Sequence, residues 1–157
     1  NSDALVSLSR LKLADEYTYL HSVTVCALMV SLGKQLGFDR QECHEAGMAG
    51  LMHDLGKAAM PLEIINKPGP LNDEEWAIMK THTVEGERML QQVGGLLSSV
   101  GVVVRASHER WDGGGYPDGL VGDAIPLAAR IVSAAEAVAA IPSGVRKAGS
   151  VWCWSFR

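Results

Sequence analysis

The sequence lacks three features that would have placed the protein in a specialised class. It has no apolar run of about 18 residues or more, so no membrane span is expected. Its first residues show no basic region leading into an apolar stretch, so no signal peptide is expected. The three cysteines are widely spaced and form no C-x-x-C pair, which argues against a disulfide framework or a zinc ribbon. A reducing, cytoplasmic setting is therefore the default expectation.

An excess of basic charge is also missing. The chain carries 14 Lys and Arg against 18 Asp and Glu, a formal net charge of −4. Proteins that bind nucleic acid through non-specific phosphate contacts are usually basic, so no DNA partner is expected. A small anionic ligand stays compatible, because a bound metal ion reverses the local sign of a site. The chain has 157 residues, of which 47% are hydrophobic and 20% are charged. This length and composition suit one globular domain.

Helical periodicity dominates the first half of the chain. Residues 15–36 are predicted to form a helix that ends at Gly37. Five residues at helical spacing predict its apolar face: Leu20, Val23, Ala27, Val30 and Leu32. A second helix is predicted to begin at Asp39 and a third at Asn72, because a glutamate follows each by three residues, as in a capping box. The third helix is expected to continue or break near Thr81.

The second half completes an all-α prediction. Residues 84–92 are predicted to be helical, and a last helix has Pro126 in its first turn and runs to about residue 141. The valine-rich segment 97–107 has strand propensity, but a helix is favoured because no partner strand is visible elsewhere. The glycines and the proline of 112–119 predict an irregular loop.

One histidine stands beside an aspartate. His53 and Asp54 lie at the end of a predicted helix, where an imidazole and a carboxylate can turn toward one cavity. A carboxylate can also bridge two metal ions. His21, His82 and His108 lie in or beside other apolar segments, and a helical bundle can bring such side chains together around metal. A lone His-Asp pair is weak evidence, so the prediction rests on the whole set.

These residues stand within motifs that resemble the HD-GYP branch of the HD-domain phosphohydrolases. The core motif is His53-Asp54-x-Gly56-Lys57, and the branch signature begins at His108-Glu109-Arg110 and ends at Gly115-Tyr116-Pro117. The resemblance implies an all-α HD-domain helical bundle with a Gly-rich GYP loop. It covers residues 14–141. We expect an N-terminal linker over 1–13 and a divergent tail over 142–157, and we therefore expect the domain to lack its C-terminal helices.

The resemblance also implies a function in bacterial signalling. Members of the family are metal-dependent phosphodiesterases that hydrolyse cyclic di-GMP, or a related cyclic dinucleotide, to a linear dinucleotide or GMP. Two divalent ions, iron or manganese, are expected. By motif position, the implied metal ligands are His21, His53, Asp54, His82, His108 and Glu136. Asp54 would bridge the two ions and act in catalysis together with Lys57, which would meet the substrate phosphate.

The loop after His108 is expected to border the substrate. The implied substrate-binding residues are Lys57, Arg110, Gly113, Gly115, Tyr116 and Pro117. The sequence leaves open whether Arg110 clamps a phosphate or pairs with Glu109 or Asp112. We expect residues 111–119 to be mobile and exposed, with an apolar tip that suits a lid or a protein partner.

Three departures from the family pattern keep an alternative open. Ser107 replaces a usual histidine, Glu136 replaces a usual aspartate, and the expected Arg-Pro-Tyr segment is absent after Ala139. The second metal site is therefore expected to be weak. The alternative is a degenerate module that binds nucleotide or a partner protein with little or no turnover. An HD phosphohydrolase with another substrate is a third reading, and the oligomeric state is not predicted.

Overall fold

The computed structural model describes residues 16–140, so the predicted linker and tail lie outside the described residues. Its helices are α1 (Glu16–Gln35), α2 (Arg40–Met52), α3 (Leu62–Ile65), α4 (Asp73–Lys80), α5 (His82–Val93), α6 (Leu96–Arg105) and α7 (Leu127–Ala140). Two 3-10 turns cover Leu55–Ala59 and Gly122–Ala124. Within 16–140 there is no strand, and the all-α prediction is confirmed. No helix in this range is long and apolar enough to cross a membrane.

Local signals set the predicted helix boundaries correctly. The Asp39 carboxylate accepts a hydrogen bond from the Glu42 N–H at 2.8 Å, and the Glu42 carboxylate accepts one from the Asp39 N–H at 2.7 Å. Asn72 and Glu75 form the same reciprocal pair at the start of α4. Each capping box satisfies donors that have no partner inside the helix, which explains why these boundaries can be read locally.

The buried face of α1 differs from the prediction. Of the five residues predicted for that face, four are exposed and Val30 is half-buried. The face that is buried instead carries Ser22, Val25 and Met29. Apolar residues surround α1, so periodicity alone does not select a side. The small residues of α2 decide it: a Cβ at Gly50 would lie 2.8 Å from Met29 Cγ, so α2 packs closely against this face.

The valine-rich segment is a helix, as favoured, and it contributes to one of the two larger of three apolar clusters in the described part of the chain. One cluster joins α2, the first 3-10 turn, α5 and α6 through Ala49, Met52, Leu55, Leu90, Val100 and Val104. The other joins α1, α2 and α7 through Val25, Met29, Ala46, Ile131, Val132 and Ala135. Burying these side chains on opposing elements holds α1, α5 and α7 around the polar residues between them.

Candidate metal centre

Five elements bring the six predicted ligands together in two neighbouring groups. The first group consists of His21 from α1, His53 from the end of α2 and Glu136 from α7. The second consists of Asp54, His82 at the start of α5 and His108 just after α6. In each group one potential ligand atom per residue lies within 4.8 Å of the others. The structure thus assembles the set that the motifs singled out, while their role as ligands stays a prediction.

Asp54 connects the two groups. Its Oδ2 lies 3.4 Å from His53 Nε2 in the first group, and its Oδ1 lies 3.6 Å from His82 Nε2 in the second. The carboxylate therefore presents one oxygen to each side. This is the arrangement that a bridging ligand between two ions requires.

Two of the histidines are held in the tautomer that suits metal binding. His53 Nδ1 donates to the Gly50 carbonyl at 2.8 Å, and His82 Nδ1 donates to the Met79 carbonyl at 2.7 Å. A carbonyl oxygen only accepts, so in the neutral rings the proton is on Nδ1 and the Nε2 lone pair faces the centre. Backbone contacts of this kind orient an imidazole before a metal ion binds.

The centre contains buried polar atoms without partners. Among the described residues, the buried side-chain atoms that lack a hydrogen bond are Arg130 Nε and four atoms of this centre: His53 Nε2, Asp54 Oδ1, His82 Nε2 and His108 Nε2. Unpartnered buried polar atoms cost about 1–3 kcal/mol each. A set of imidazole nitrogens and carboxylate oxygens suits divalent iron, manganese or zinc. The residues present therefore fit a pair of divalent ions.

Electrostatic effects keep both carboxylates of the centre charged. Burial favours the neutral form of Asp54, but Lys57 and His53 outweigh it and hold the pKa of Asp54 well below its usual range. Burial likewise opposes ionisation of Glu136, yet His108 and His53 lower the pKa of this carboxyl. Two ionised carboxylates among imidazole nitrogens therefore provide oxygen and nitrogen donors of the kind that divalent ions bind.

The pKa values of the four histidines of the centre shift in different directions. Burial opposes the charged form of His53, but Asp54 and Glu136 raise its pKa to about 10. Burial and the neighbouring His108 lower the pKa of His82 to about 3. Burial also lowers the pKa of His21 and of His108. The rings of His21, His82 and His108 are thus kept neutral, as a metal ligand must be, whereas His53 would release its Nε2 proton when an ion binds.

Gly56 and Lys57 place a cation beside the centre. Lys57 Nζ lies 2.7 Å from Asp54 Oδ2, and its side chain is 22% exposed. The turn that carries both residues lies directly against the start of α5: a Cβ at Gly56 would be 1.8 Å from the His82 carbonyl oxygen. In the sequence, Gly56 stands out only as part of the motif. Its role, the close approach of two backbones, becomes visible only in the tertiary structure.

The GYP loop contacts the centre through its tyrosine. Tyr116 stacks on the His108 ring, with centroids 5.2 Å apart and planes inclined by 14°. Its edge also faces His82 at 6.3 Å and Trp76 at 6.0 Å. Arg110 pairs with Asp112 at 2.6 Å, which selects one of the alternatives that the sequence left open. In this structure the guanidinium therefore points to its own loop.

The expectation of an exposed loop is confirmed only in part, and its mobility stays a prediction. Trp111 is 60% exposed, as expected, but Tyr116 and Pro117 are half-buried. The end of the loop is anchored by Glu109, whose buried carboxylate accepts hydrogen bonds from the N–H groups of Asp118, Gly119 and Leu120 at 2.7–3.1 Å. No role of its own was predicted for Glu109, although a carboxylate beside a glycine-rich segment with many unpaired N–H donors is a signal for such an anchor.

The remaining loop positions and Ser107 have structural explanations. Gly113 has φ +79°, a conformation that favours glycine, and a Cβ at Gly115 would lie 2.3 Å from the Arg110 nitrogen. Ser107 is fully buried, and its hydroxyl donates to the Val104 carbonyl at 2.8 Å. The hydroxyl of Ser107 thus donates its hydrogen to a carbonyl group in the last turn of α6.

Comparison with known proteins agrees with the geometry. A family model described as the HD domain matches residues 5–149. A cyclic di-GMP phosphodiesterase of Pseudomonas aeruginosa is 48% identical over 141 residues, which cover 90% of this chain and 34% of that protein. A cyclic di-GMP phosphodiesterase response regulator of Xanthomonas campestris pv. campestris is 40% identical over 144 residues, or 87% of this chain and 38% of that protein.

A relative with a different named substrate matches over a similar range. A 3′3′-cGAMP-specific phosphodiesterase of Vibrio cholerae is 38% identical over 136 residues, covering 87% of this chain and 31% of that protein. The chain therefore spans about a third of the length of these curated relatives.

Proposed function

This chain belongs to the HD domain family, and from that membership we propose that it forms the catalytic centre of a metal-dependent phosphodiesterase. The proposed substrate is cyclic di-GMP or a related cyclic dinucleotide, and the product is a linear dinucleotide or GMP. The observation that carries the proposal is the pair of adjoining groups of nitrogen and oxygen ligand atoms, which Asp54 connects and which contain four buried atoms without partners. The relatives named as cyclic di-GMP and 3′3′-cGAMP phosphodiesterases support the substrate class.

The proposed ligands divide the centre into two unequal sites. Iron or manganese would be held in the first site by His21, His53, Asp54 and Glu136, and in the second by Asp54, His82 and His108. When bound, two divalent ions supply a nucleophile at neutral pH and neutralise the charge that develops on phosphorus. The second site has one protein ligand fewer, because Ser107 stands where the family usually has a histidine. We therefore expect the second site to release its ion first under mild chelation.

The protein's own groups would orient the phosphodiester. Lys57 lies at the edge of the centre, partly exposed, with its ammonium 2.7 Å from Asp54 Oδ2. From there it would donate to a phosphate oxygen as a point charge. Tyr116 and Pro117 would border the nucleotide, since Tyr116 already covers the His108 ring. Gly113 and Gly115 would shape the loop that carries them, and Arg110 would meet a phosphate only after leaving Asp112.

We also propose a cellular setting and a contact surface for a protein partner. A cytoplasmic setting is compatible with the thiols of Cys26 and Cys43, which are both free. A protein partner would contact the GYP loop at Trp111, the most exposed aromatic side chain that the described loop presents.

The experiment compares two substitutions in one assay. Asp54→Ala should lose both ions and all turnover, because Asp54 faces both groups. Lys57→Ala should keep its ions and slow turnover by about 30- to 1000-fold, the equivalent of about 2–4 kcal/mol for one charged contact. The measurements are release of linear dinucleotide from cyclic di-GMP with Mn²⁺ or Fe²⁺, and metal content by elemental analysis. Asp73→Ala and Lys34→Ala, both at exposed positions, are the matched controls.

The outcomes separate the competing functions. If Asp54→Ala keeps its ions and its activity, the His-Asp pair is not the catalytic centre and the proposal fails. If the unmodified protein holds two ions and binds cyclic di-GMP without hydrolysing it, the chain is the binding module that Ser107 favours. Faster hydrolysis of 3′3′-cGAMP than of cyclic di-GMP would identify the related substrate instead.

A further inference from the structure

The three inward-facing imidazoles at the centre differ in what holds their second nitrogen. His53, His82 and His108 each have a buried Nε2 without a partner. Backbone carbonyls hold the Nδ1 atoms of His53 and His82. On His108 the carboxylate of Glu136 faces Nδ1, with Oε2 at 4.0 Å, which is beyond hydrogen-bond distance and would have to shorten for the same contact to form. Metal-binding histidines commonly give this second N–H to a carbonyl or carboxylate, which fixes the ring.

Glu136 faces both groups through different oxygens. Its Oε1 lies 3.3 Å from His53 Nε2 in the first group, while Oε2 faces His108 of the second. The side chains of Glu136 and His108 are only 10% and 9% exposed, so little solvent competes for a hydrogen bond between them. Tyr116 covers one face of the His108 ring. Stacking limits the tilt of the His108 ring. A group that contacts Nδ1 is still needed to fix the orientation of the ring within its plane.

We propose that Glu136 couples the two ion sites: Oε1 is a ligand in the first group, and Oε2 is the positioning acceptor for His108 in the second. The inference rests on the proposed metal centre. It assigns a use to the longer side chain, because an aspartate at this position would withdraw the carboxylate by about one carbon–carbon bond, roughly 1.5 Å. A carboxylate withdrawn that far would serve His53 or His108, but not both.

The test measures where Mn²⁺ binds in Glu136→Asp. Anomalous diffraction from Mn²⁺-soaked crystals locates each ion, and equilibrium titration with Mn²⁺ gives the affinities in solution. In Glu136→Asp we expect the affinity of the Asp54–His82–His108 group to fall about 10- to 100-fold, the usual effect of losing a group that orients a ligand. Glu74→Asp, the same change at an exposed position of α4, should alter neither site.

A second variant separates direct positioning from coupling through the first ion. His21→Ala removes a ligand of the first group and leaves Glu136 and His108 untouched. We expect it to weaken the first site and to change the affinity of the second by less than about threefold. If His21→Ala weakens the second site as much as Glu136→Asp does, the effect passes through the first ion and the proposed role of Glu136 is wrong.

The remaining outcomes are also decisive. Unchanged binding at the second site in Glu136→Asp overturns the coupling but leaves the two-ion centre intact. If the unmodified protein binds no Mn²⁺ at either position, the proposed function fails first and the coupling fails with it. Thermal unfolding without metal confirms that each variant is folded, so that a lost ion reports on its site.

Discussion

Gly56→Ala tests whether the approach of two backbones holds the metal centre together. The added Cβ would lie 1.8 Å from the His82 carbonyl oxygen and 2.6 Å from the Gly86 nitrogen. Both are backbone atoms of α5, so no side-chain rotation relieves the overlap. Real Cβ contacts essentially never fall below 3.0 Å, and the turn and α5 must therefore separate by at least about 1.2 Å.

That displacement is large compared with the dimensions of an ion site. Asp54 Oδ1 and His82 Nε2 are 3.6 Å apart. Ligand bonds of about 2.0–2.2 Å allow two ligands of one ion to be at most about 4.3 Å apart. A rigid shift of about 1.2 Å along this direction would exceed that limit. Gly56→Ala should therefore lose the ion of the second group.

The same overlap should lower stability. Overpacking in a close-packed interior costs about 1–3 kcal/mol. At about 2–4 °C per kcal/mol for a domain of this size, the thermal midpoint of the metal-free protein should fall by about 2–12 °C. The assay is Mn²⁺ content after dialysis together with thermal unfolding followed by circular dichroism. Both quantities should change in the same variant.

Two other glycine-to-alanine changes serve as controls. At Gly101 on α6 the nearest atom to an added Cβ is the Glu87 carbonyl oxygen at 3.4 Å, so Gly101→Ala should keep its ions. It should also unfold at the same or a higher temperature, since alanine is favoured over glycine in a helix by about 0.5–1 kcal/mol. At Gly86 the nearest atom is Val104 Cγ1 at 2.9 Å, a side-chain methyl, so Gly86→Ala should be intermediate.

The reasoning has a clear point of failure. If Gly56→Ala binds Mn²⁺ as the unmodified protein does and unfolds at the same temperature, the close contact is not what positions Asp54 against His82. If Gly56→Ala fails to fold, Gly86→Ala provides the smaller displacement, and it must then lose more of the ion of the second group than Gly101→Ala does.

Three further substitutions test other contacts. Glu109→Gln replaces the carboxylate that accepts hydrogen bonds from three loop N–H groups. Hydrogen exchange at the amides of 118–120 should accelerate, and the free energy of unfolding should fall by about 1.5–3 kcal/mol. Unchanged exchange would exclude the anchor. The guanidinium of Arg105 lowers the pKa of Asp118. The stabilisation of the folded state by this ion pair is therefore complete above pH ~4 and is lost as the pH falls through the lowered pKa. Asp118→Asn should therefore lower the free energy of unfolding by up to about 1 kcal/mol at pH 6 and by progressively less in acid, since the pair is partly exposed; a constant difference across this range would contradict the ion pair. Ser107→Ala should keep its Mn²⁺ and lose about 1 kcal/mol of stability, because its hydroxyl donates to Val104; loss of the second-group ion would identify the serine as a ligand.

Several features could be predicted from the sequence because their causes are local. Asp39 and Asn72 start helices through hydrogen bonds that span three residues. The His53-Asp54 pair and the surrounding motifs identified the residues that assemble at the centre, because those residue types carry the chemistry wherever the backbone places them. The all-α class followed from the absence of any segment that could pair as a strand.

The tertiary structure alone decided what depends on distant parts of the chain. The apolar residues of α1 left its buried side undetermined, and Gly50 of α2 selected the side that carries Met29. Arg110 had three possible partners in the sequence, and the loop geometry brought it to Asp112. Glu136 reaches His53 with one oxygen and faces His108 with the other only because α7 packs across α1 and α2, where apolar burial draws the helices together. Residue types and local hydrogen bonds thus determined the elements and the chemistry, and long-range packing determined which groups meet.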